Sequence, residues 1–451
     1  MENKLEKLVG APANVLDKTV TVSENIVGHS AVKKARKYWY NLGPGLTTGA
    51  SDDDPSGIAT YSQAGARYGF QLLWLAGFTF PLMAIVQEMC ARIGLVTGRG
   101  LAGNIRIHFP KWVLYICTIL LFSANSLNIG ADIGAMAKAT QLLFPHFGFA
   151  TLIMGFAVLS LGLQIFVSYE KYAKYLKWLA LILLSYIFSA LSVNLDWKEL
   201  IKNAVIPSIV FSKDQIILIT AVLGTTISPY LFFWQTSQEV EESISKGEVT
   251  LKLREEAVSN REIKLMRQDV WSGMLLSNIV MFFIIAASAA TLFTHGITNI
   301  STAADAASAL RPIAGDQAYL LFALGIIGTG LLAIPVLAGS ASYAMSETFG
   351  WKYGLHRKLK EANAFYGIII ISTLIGVAIN FIGIDPIKAL IYTAVFNGLV
   401  APVILILIVL LSMNKKIMGD KVNHPVTTAL GFIITILMAL SGFATIFFFL
   451  S

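Results

Sequence analysis

The chain has 451 residues, of which 55% are hydrophobic and only 14% are charged. Soluble globular proteins carry about 25% charged residues, so the composition excludes an ordinary soluble domain and predicts an all-α polytopic membrane protein. The net charge of +7 comes without a basic and aromatic motif, and it does not indicate a nucleic-acid partner.

Eleven apolar runs follow one another along the chain, and each has about the 20 residues that a membrane-spanning helix needs. A polar tail at 1–38 precedes them, and the charge-dense segment 241–268 is expected to be a solvated connector or a short surface helix. The predicted spans are 41–66, 72–97, 112–143, 149–168, 175–193, 214–238, 270–293, 317–343, 365–382, 387–411 and 427–450.

The distribution of Lys and Arg predicts the orientation of these spans. If the N-terminus is cytoplasmic, the tail and the cytoplasmic loops hold 26 of the 34 Lys and Arg residues, and the outer segments hold six. Cytoplasmic loops are enriched in Lys and Arg. We therefore expect a multi-pass cell-membrane protein with a cytoplasmic N-terminus and an extracellular C-terminus.

The first predicted span is interrupted by three carboxylates, a proline and a glycine, in the segment 52–57. Each Asp costs about 2.5–3.5 kcal/mol at the bilayer centre, and proline removes a helical hydrogen bond. Irregular backbone is tolerated at this depth only where it lines a cavity. A broken helix that presents a carboxylate and free carbonyl groups there predicts a cation site.

A second interruption lies in the sixth span, where Gly224-Thr225-Thr226-Ile227-Ser228-Pro229-Tyr230 stands in the middle of 214–238. Broken helices five spans apart predict a five-plus-five inverted repeat with the substrate between the two breaks. The first repeat is expected at about 39–193 and the second at about 214–411, which together form the transporter core 39–411. Residues 412–451 are expected to add a cytoplasmic loop and an eleventh span.

The residues at the two breaks predict a site made of hard oxygen atoms. Asp54 is the expected charged ligand, and main-chain carbonyl groups near Ser51 and Thr225 are expected to complete the site. Oxygen ligands suit Mg²⁺ and Ca²⁺ and also accept Mn²⁺. Small residues leave room for an ion that keeps its water. The expected metal-ion residues are Ser51, Asp54, Gly57, Thr225, Ser228, Tyr230 and Asn397.

Other polar residues in the spans are candidates for the ion pathway. Asp52 and Asp53 are expected to hold the water shell of the ion or attract cations, or else to face a vestibule without contact. On the third span, polar side chains spaced for one helical face form a wall of the pathway or hydrogen bonds between helices; they are Asn125, Asn128 and Asp132. Glu88 and Arg92, four residues apart, predict a structural ion pair.

At these motifs the sequence resembles the Nramp family of divalent metal transporters. The resemblance covers most of 40–410 and is carried by Gly43-Pro44-Gly45, Asp54-Pro55, Gln63-Ala64-Gly65-Ala66, Tyr68-Gly69, Ala91-Arg92 and the 224–230 segment. It departs at Gly57, where the family has its metal-binding Asn, and at Ser228 and Tyr230, where the family has Met and His. Gln235 replaces a further His, and Leu121 and Asn128 stand where the family has acidic residues on the third span.

These departures are similar to the divergent Nramp-related magnesium transporters. That resemblance implies a LeuT-like fold with the first and sixth helices broken, and transport of Mg²⁺ and Mn²⁺ without tight proton coupling. The metal is the transported substrate, and no cofactor, enzymatic activity or obligate protein partner is expected beside the ion and the lipid bilayer. The alternatives are a proton-coupled Mn²⁺/Fe²⁺ transporter of the ordinary Nramp type, an organic-solute transporter of the same fold, and an intramembrane prenyltransferase.

Overall fold

The computed structural model describes residues 43–167, 184–193 and 196–450, and these residues are helical without any β-strand. The predicted tail 1–38 lies outside the described residues. In the first half of the chain the helices are α1 Pro44–Asp52, α2 Pro55–Tyr68, α3 Trp74–Thr97, α4 Leu101–His108, α5 Lys111–Leu143, α6 Phe149–Phe166, α7 Leu184–Ser192 and α8 Trp197–Val205.

The second half continues with α9 Lys213–Thr226, α10 Pro229–Ser245, α11 Leu251–Ala257, α12 Asn260–Thr291, α13 Ala318–Phe349, α14 Asn363–Ile379, α15 Pro386–Ser412 and α16 Pro425–Leu450. Short helical turns lie at Ala303–Ala307, Arg311–Ala314 and Lys415–Met418. The described residues from Pro44 onward form one compact unit.

Among the described residues, eight helical segments are long and apolar enough to cross a membrane, and α14 is a shorter apolar helix. With the broken first span and the part of the fifth span that α7 represents, they follow the order of the eleven predicted runs. The charged segment 241–268 contains the short helix α11, but α10 and α12 also extend into it. Helix α12 begins ten residues before the predicted span, because Ser259 and Glu262 form a capping box at its start.

Both predicted helix breaks are present. Helix α1 ends at Asp52 and α2 begins at Pro55, with Asp54 as the residue that caps α2. Proline suits the first position of a helix, because the N–H that it lacks has no partner there. In the sixth span α9 ends at Thr226 and α10 begins at Pro229. The same local chemistry therefore interrupts both spans.

Glycines bring the broken first span into direct backbone contact with α12. A Cβ atom added at Gly45 would lie 2.5 Å from the Val270 nitrogen, and one added at Gly49 would lie 2.3 Å from the Gly273 oxygen. On the other side of the break, a Cβ atom at Gly65 would lie 2.3 Å from the Ile285 oxygen. Because only glycine has no Cβ, these positions fix how closely α1 and α2 pack on α12.

The start of α1 is held by a carboxylate of α12. The Asp269 side chain accepts hydrogen bonds from the Gly45 N–H at 2.6 Å and from the Leu46 N–H at 3.1 Å. The first N–H groups of a helix have no partner within the helix, so Asp269 satisfies two of them from a neighbouring helix. This contact and the glycine contacts place the end of α1, and therefore the first break, against α12.

Candidate metal-ion site

Asp54 lies at the break of the first span, and its carboxylate is buried and held from two sides. Its Oδ1 atom accepts the Gly57 N–H at 2.7 Å, and its Oδ2 atom accepts a hydrogen bond from the Asn128 side-chain amide at 2.9 Å. The first contact caps α2, and the second comes from the middle of α5. The predicted central ligand is therefore fixed in orientation between two helices.

The two breaks meet through a pair of hydrogen bonds that connect their helices. The Tyr230 hydroxyl of α10 donates to the Ser51 carbonyl group of α1 at 3.0 Å. The Tyr61 hydroxyl of α2 lies 3.2 Å from the hydroxyl of Thr226 at the end of α9. The predicted residues of the first and sixth spans are therefore brought together.

Ser228 lies in the second break and contacts the C-terminal end of α9. Its hydroxyl lies 2.8 Å from the Gly224 carbonyl oxygen and 2.6 Å from the Thr225 carbonyl oxygen, to which it is positioned to donate. The last carbonyl groups of a helix lack partners within the helix, and Ser228 supplies one. The Thr225 and Ser51 carbonyl oxygens thus each have a hydroxyl neighbour, and each keeps a second lone pair for another contact.

Gly57 and Asn397 border the same region. A Cβ atom at Gly57 would lie 3.3 Å from the Asp52 carbonyl oxygen and 3.4 Å from the Thr225 hydroxyl oxygen. Gly57 therefore lies between the two breaks. Asn397 is buried on α15, and its side-chain oxygen has no hydrogen-bond partner. The residue after it, Gly398, packs directly on α9 at Gly224, which places Asn397 next to the second break.

Asp52 and Asp53 face α12. The Ser277 hydroxyl donates to Asp52 Oδ2 at 2.6 Å and lies 3.3 Å from Asp53 Oδ1, and both carboxylates are buried. The other oxygen of Asp52 has no hydrogen-bond partner. Sequence analysis missed Ser277, because a single serine within an apolar run gives no local signal. It also missed Tyr61, although Tyr61 follows Asp54 by seven residues and so shares its helical face.

The three polar residues of α5 have three different environments. The Asn125 amide donates to the Leu337 carbonyl oxygen at 2.8 Å and to the Ser340 hydroxyl at 2.7 Å, and so joins α5 to α13. Asn128 contacts Asp54. Asp132 is fully buried, and neither of its carboxylate oxygens has a hydrogen-bond partner in the ranges that the structure describes. The interpretation as hydrogen bonding between helices therefore fits Asn125, and also Asn128 through its contact with Asp54, while the pathway interpretation of Asn128 and Asp132 stays a prediction.

The predicted pair of Glu88 and Arg92 is present and belongs to a larger cluster. Glu88 accepts from Arg92 at 2.5 Å, from Arg267 at 2.8 Å and from the Trp271 indole N–H at 2.9 Å. These contacts connect α3 to α12. Both cysteines, Cys90 and Cys117, are free and buried. In the part of the chain that the structure describes, no group of three or more His, Cys, Asp or Glu residues is arranged to hold a metal ion.

The sequence model of the Natural resistance-associated macrophage protein-like family, Nramp, matches residues 45–448 of the chain. The chain belongs to the Nramp family. This membership confirms the resemblance drawn from the motifs, and it identifies a membrane transporter rather than an enzyme such as a prenyltransferase.

Curated relatives match over nearly the whole chain. The divalent metal cation transporter MntH of Aeromonas hydrophila is 26% identical over 417 residues, which cover 90% of this chain and 95% of that protein. The divalent metal cation transporter MntH of Erwinia tasmaniensis is 27% identical over 439 residues, which cover 94% and 98%.

Solved structures confirm the fold. The manganese transporter of Eremococcus coleocola superposes with a TM-score of 0.69 at 18% identity, covering 92% of this chain and 87% of that one. A nucleobase-cation-symport-1 family transporter superposes with a TM-score of 0.51 at 13% identity, covering 90% and 91%. The predicted fold class, an all-helical LeuT-like transporter, is therefore confirmed.

Proposed function

We propose that this protein transports divalent metal cations, with Mg²⁺ as the principal substrate and Mn²⁺ as a second one. The observation that carries this proposal is the chemistry of the two breaks, where Asp54, Ser51, Thr225, Ser228 and Tyr230 present only oxygen atoms. Carboxylate, carbonyl and hydroxyl oxygens suit Mg²⁺ and Mn²⁺, whereas thioether and thiolate ligands favour softer metals.

The small residues around Asp54 support an ion that keeps part of its water. Mg²⁺ loses water reluctantly and is usually bound by one or two carboxylates together with retained water. Ser56 and Gly57 follow the capping carboxylate on α2, and Ser228 lies opposite on the second break. The Ser56 hydroxyl has no hydrogen-bond partner and so can accept one from a metal-bound water.

We further propose that the ion moves down its gradient without obligatory proton movement. Coupling requires a titratable group that alternates between metal and proton, and a path for that proton. The histidines within the described residues, His108, His146, His295, His356 and His424, lie at helix ends or in connections. A membrane potential of 100 mV supplies about 4.6 kcal/mol for two charges, which can drive entry by itself.

The second candidate is a proton-coupled Mn²⁺/Fe²⁺ transporter of the ordinary Nramp type. The relatives named above as divalent metal cation and manganese transporters favour it. So does the buried carboxylate of Asp132, which is a titratable group on the third span. The organic-solute alternative has no specific residue in its favour, because likeness to the nucleobase-cation symporter extends to the fold only.

For the orientation we propose a cytoplasmic N-terminus and an extracellular C-terminus, from the distribution of Lys and Arg. In that orientation α1 lies on the cytoplasmic side of the break and α2 on the extracellular side. The short helix α11 and the segment between α13 and α14 then face the cytoplasm. Labelling of single cysteines introduced in these segments, from outside intact cells, tests the orientation.

Uptake into proteoliposomes with an internal pH indicator separates the two candidates. We expect Mg²⁺ and Mn²⁺ to enter with a flat internal pH, and Asp54→Asn to abolish uptake, because it removes the fixed charge that attracts the ion. The exposed residue Asp316 provides the control Asp316→Asn, which should transport like the wild type. Wild-type-like uptake by Asp54→Asn, or Mg²⁺ that neither enters nor competes with Mn²⁺, would contradict the proposal. Metal-driven acidification would favour the second candidate.

A further inference from the structure

The Asp132 carboxylate on α5 has no hydrogen-bond partner among the residues that the structure describes. The residue is fully buried, and neither of its oxygens accepts a hydrogen bond from that part of the chain. Buried polar groups are nearly always hydrogen-bonded, and buried charges are paired or bind cations. A charged group at this depth of a membrane protein commonly marks an ion path. A cation in the pathway is the partner that this chemistry favours for Asp132.

The helical spacing of α5 places Asp132 beside the first break. One turn before it, the Asn128 amide donates to Asp54. One turn after it, Met136 packs at Gly330, and a Cβ atom added at Gly330 would lie 2.5 Å from the Met136 sulfur and 3.4 Å from a ring carbon of Pro55. Residues four apart lie on the same helical face. The face that carries Asp132 therefore runs along the start of α2.

The second break adjoins the first close to this carboxylate. Asn128, one turn before Asp132, donates to Asp54, and the Tyr230 hydroxyl of α10 donates to the Ser51 carbonyl group of α1. Asp132 therefore lies one turn of α5 from the region where the two breaks meet. In the proposed orientation it lies one helical turn, about 6 Å, closer to the extracellular side than the Asn128 that contacts Asp54.

The free atoms around Asp132 are hydrogen-bond acceptors. Both of its oxygens, the Asn128 side-chain oxygen one turn earlier and the Ser56 hydroxyl oxygen of α2 have no hydrogen-bond partner in the described part of the chain. A hydrated cation presents the opposite pattern, because each metal-bound water directs its hydrogens outward. With metal–oxygen distances of about 2.1 Å and hydrogen bonds of about 2.7 Å, two acceptors on opposite sides of the hydrated ion are roughly 8–9 Å apart. The turn of α5 that separates Asp132 from Asn128, about 6 Å, fits within that distance.

We propose that Asp132 is a second carboxylate of the ion site and that it binds the ion through water. The hydrated ion is held between Asp132 on the extracellular side and Asp54 at the break. This inference rests on the proposed divalent-metal transport and adds the binding mode and the hydrated substrate. Mn²⁺ exchanges its water more readily and binds Asp54 directly, so it depends less on Asp132.

Hexaamminecobalt(III) tests the binding mode on the wild-type protein. Its ammine ligands do not exchange and donate hydrogen bonds as metal-bound waters do. We expect it to compete with Mg²⁺ uptake into proteoliposomes, and we expect Asp132→Asn to weaken this competition at least tenfold. Mg²⁺ uptake that is insensitive to hexaamminecobalt(III) in the wild type would overturn water-mediated binding, whatever the variant does.

The Asp132→Asn variant tests the residue. We expect the half-saturating Mg²⁺ concentration to rise about tenfold and that of Mn²⁺ to rise less than threefold, with Asp316→Asn as the control and Asp132→Glu retaining most of the Mg²⁺ affinity. Equal effects on the half-saturating Mg²⁺ and Mn²⁺ concentrations, or no effect on either, would overturn the inference. It would also be overturned if the wild type showed metal-driven acidification and Asp132→Asn did not. If Asp132→Asn does not fold, Asp132→Ala, which also removes the carboxylate, decides by the same comparison: equal effects on Mg²⁺ and Mn²⁺, or no effect on either, overturn the inference. Absence of divalent-metal transport by the wild type would instead defeat the proposed function.

Discussion

Replacing Ser228 by methionine should change which metal the site prefers. Ser228 is fully buried at the second break, and its hydroxyl contacts the carbonyl oxygens of Gly224 and Thr225 at 2.8 and 2.6 Å. Ser228→Met removes that hydroxyl and introduces a thioether at the point where α9 and α10 separate. Thioether ligands favour softer metals over Mg²⁺, so the preference should shift toward Mn²⁺ and Cd²⁺.

The magnitude follows from one ligand gained and one hydroxyl lost. Loss of the hydroxyl costs about 0.5–1.5 kcal/mol of protein stability for one hydrogen bond. This cost is the same whichever metal is bound. The thioether changes only the comparison between metals. We expect the ratio of half-saturating Mg²⁺ to Mn²⁺ concentrations to rise about tenfold, which corresponds to about 1.4 kcal/mol.

The matched control is Ser228→Ala, which loses the same hydroxyl and gains no sulfur. In proteoliposomes we expect Ser228→Ala to keep the wild-type ratio, although total uptake falls. Competition of Cd²⁺ with Mn²⁺ uptake provides a second measurement, and Ser228→Met should make that competition stronger. If Ser228→Met and Ser228→Ala have the same ratio as the wild type, the side chain at 228 does not face the ion, and the proposed ligand set is wrong.

Two further variants test the packing that positions the site. Gly273→Ala places a Cβ atom 2.1 Å from the Gly45 carbonyl oxygen, so we expect about 1–3 kcal/mol of destabilisation and a lower melting temperature; Gly155→Ala, where no atom lies within 4 Å, is the control, and equal melting temperatures would contradict the contact. Glu88→Gln leaves Arg92 buried without its carboxylate, so we expect a loss of about 3–5 kcal/mol with an unchanged ratio of Mg²⁺ to Mn²⁺ uptake. A changed ratio would show that this cluster also acts on the ion.

The parts of the fold that depend on local chemistry could be predicted from the sequence. Proline lacks the N–H of a helical hydrogen bond, and the breaks predicted beside Pro55 and Pro229 are present at those residues. Proline alone does not decide a break, because Pro81, Pro335 and Pro402 lie inside continuous helices. Sequence analysis missed the first ten residues of α12, because the charged residues there lower the hydropathy below that of a membrane span. The capping box at Ser259 nevertheless starts the helix at that point.

The structure brings together the predicted residues that a motif specified, and the contacts that sequence analysis missed are those made between distant segments. Asp54 and the hydroxyls of the second break could be found from sequence, since acids and prolines are conspicuous in apolar runs. Ser277 and Asp269 contact the first span from more than 220 residues away, and no local pattern indicates such contacts. The three polar residues of α5 share one face, but only the structure separates Asn125, which bonds to α13, from Asp132, which has no partner.

The contact of α1 with α12 has a mechanical consequence. Gly45, Gly49 and Gly273 bring backbone directly against backbone, so no side chains interlock at these points. Two surfaces of this kind can part without any rotamer change at the glycines, and the hydrogen bonds that must break are those from Gly45 and Leu46 to Asp269 and those from Ser277 to Asp52 and Asp53. A carboxylate and two N–H groups exposed in this way are at once solvated by water. The contact therefore tolerates no added side-chain atoms. Helix α1 can nevertheless move away from α12 without repacking of side chains at these glycines.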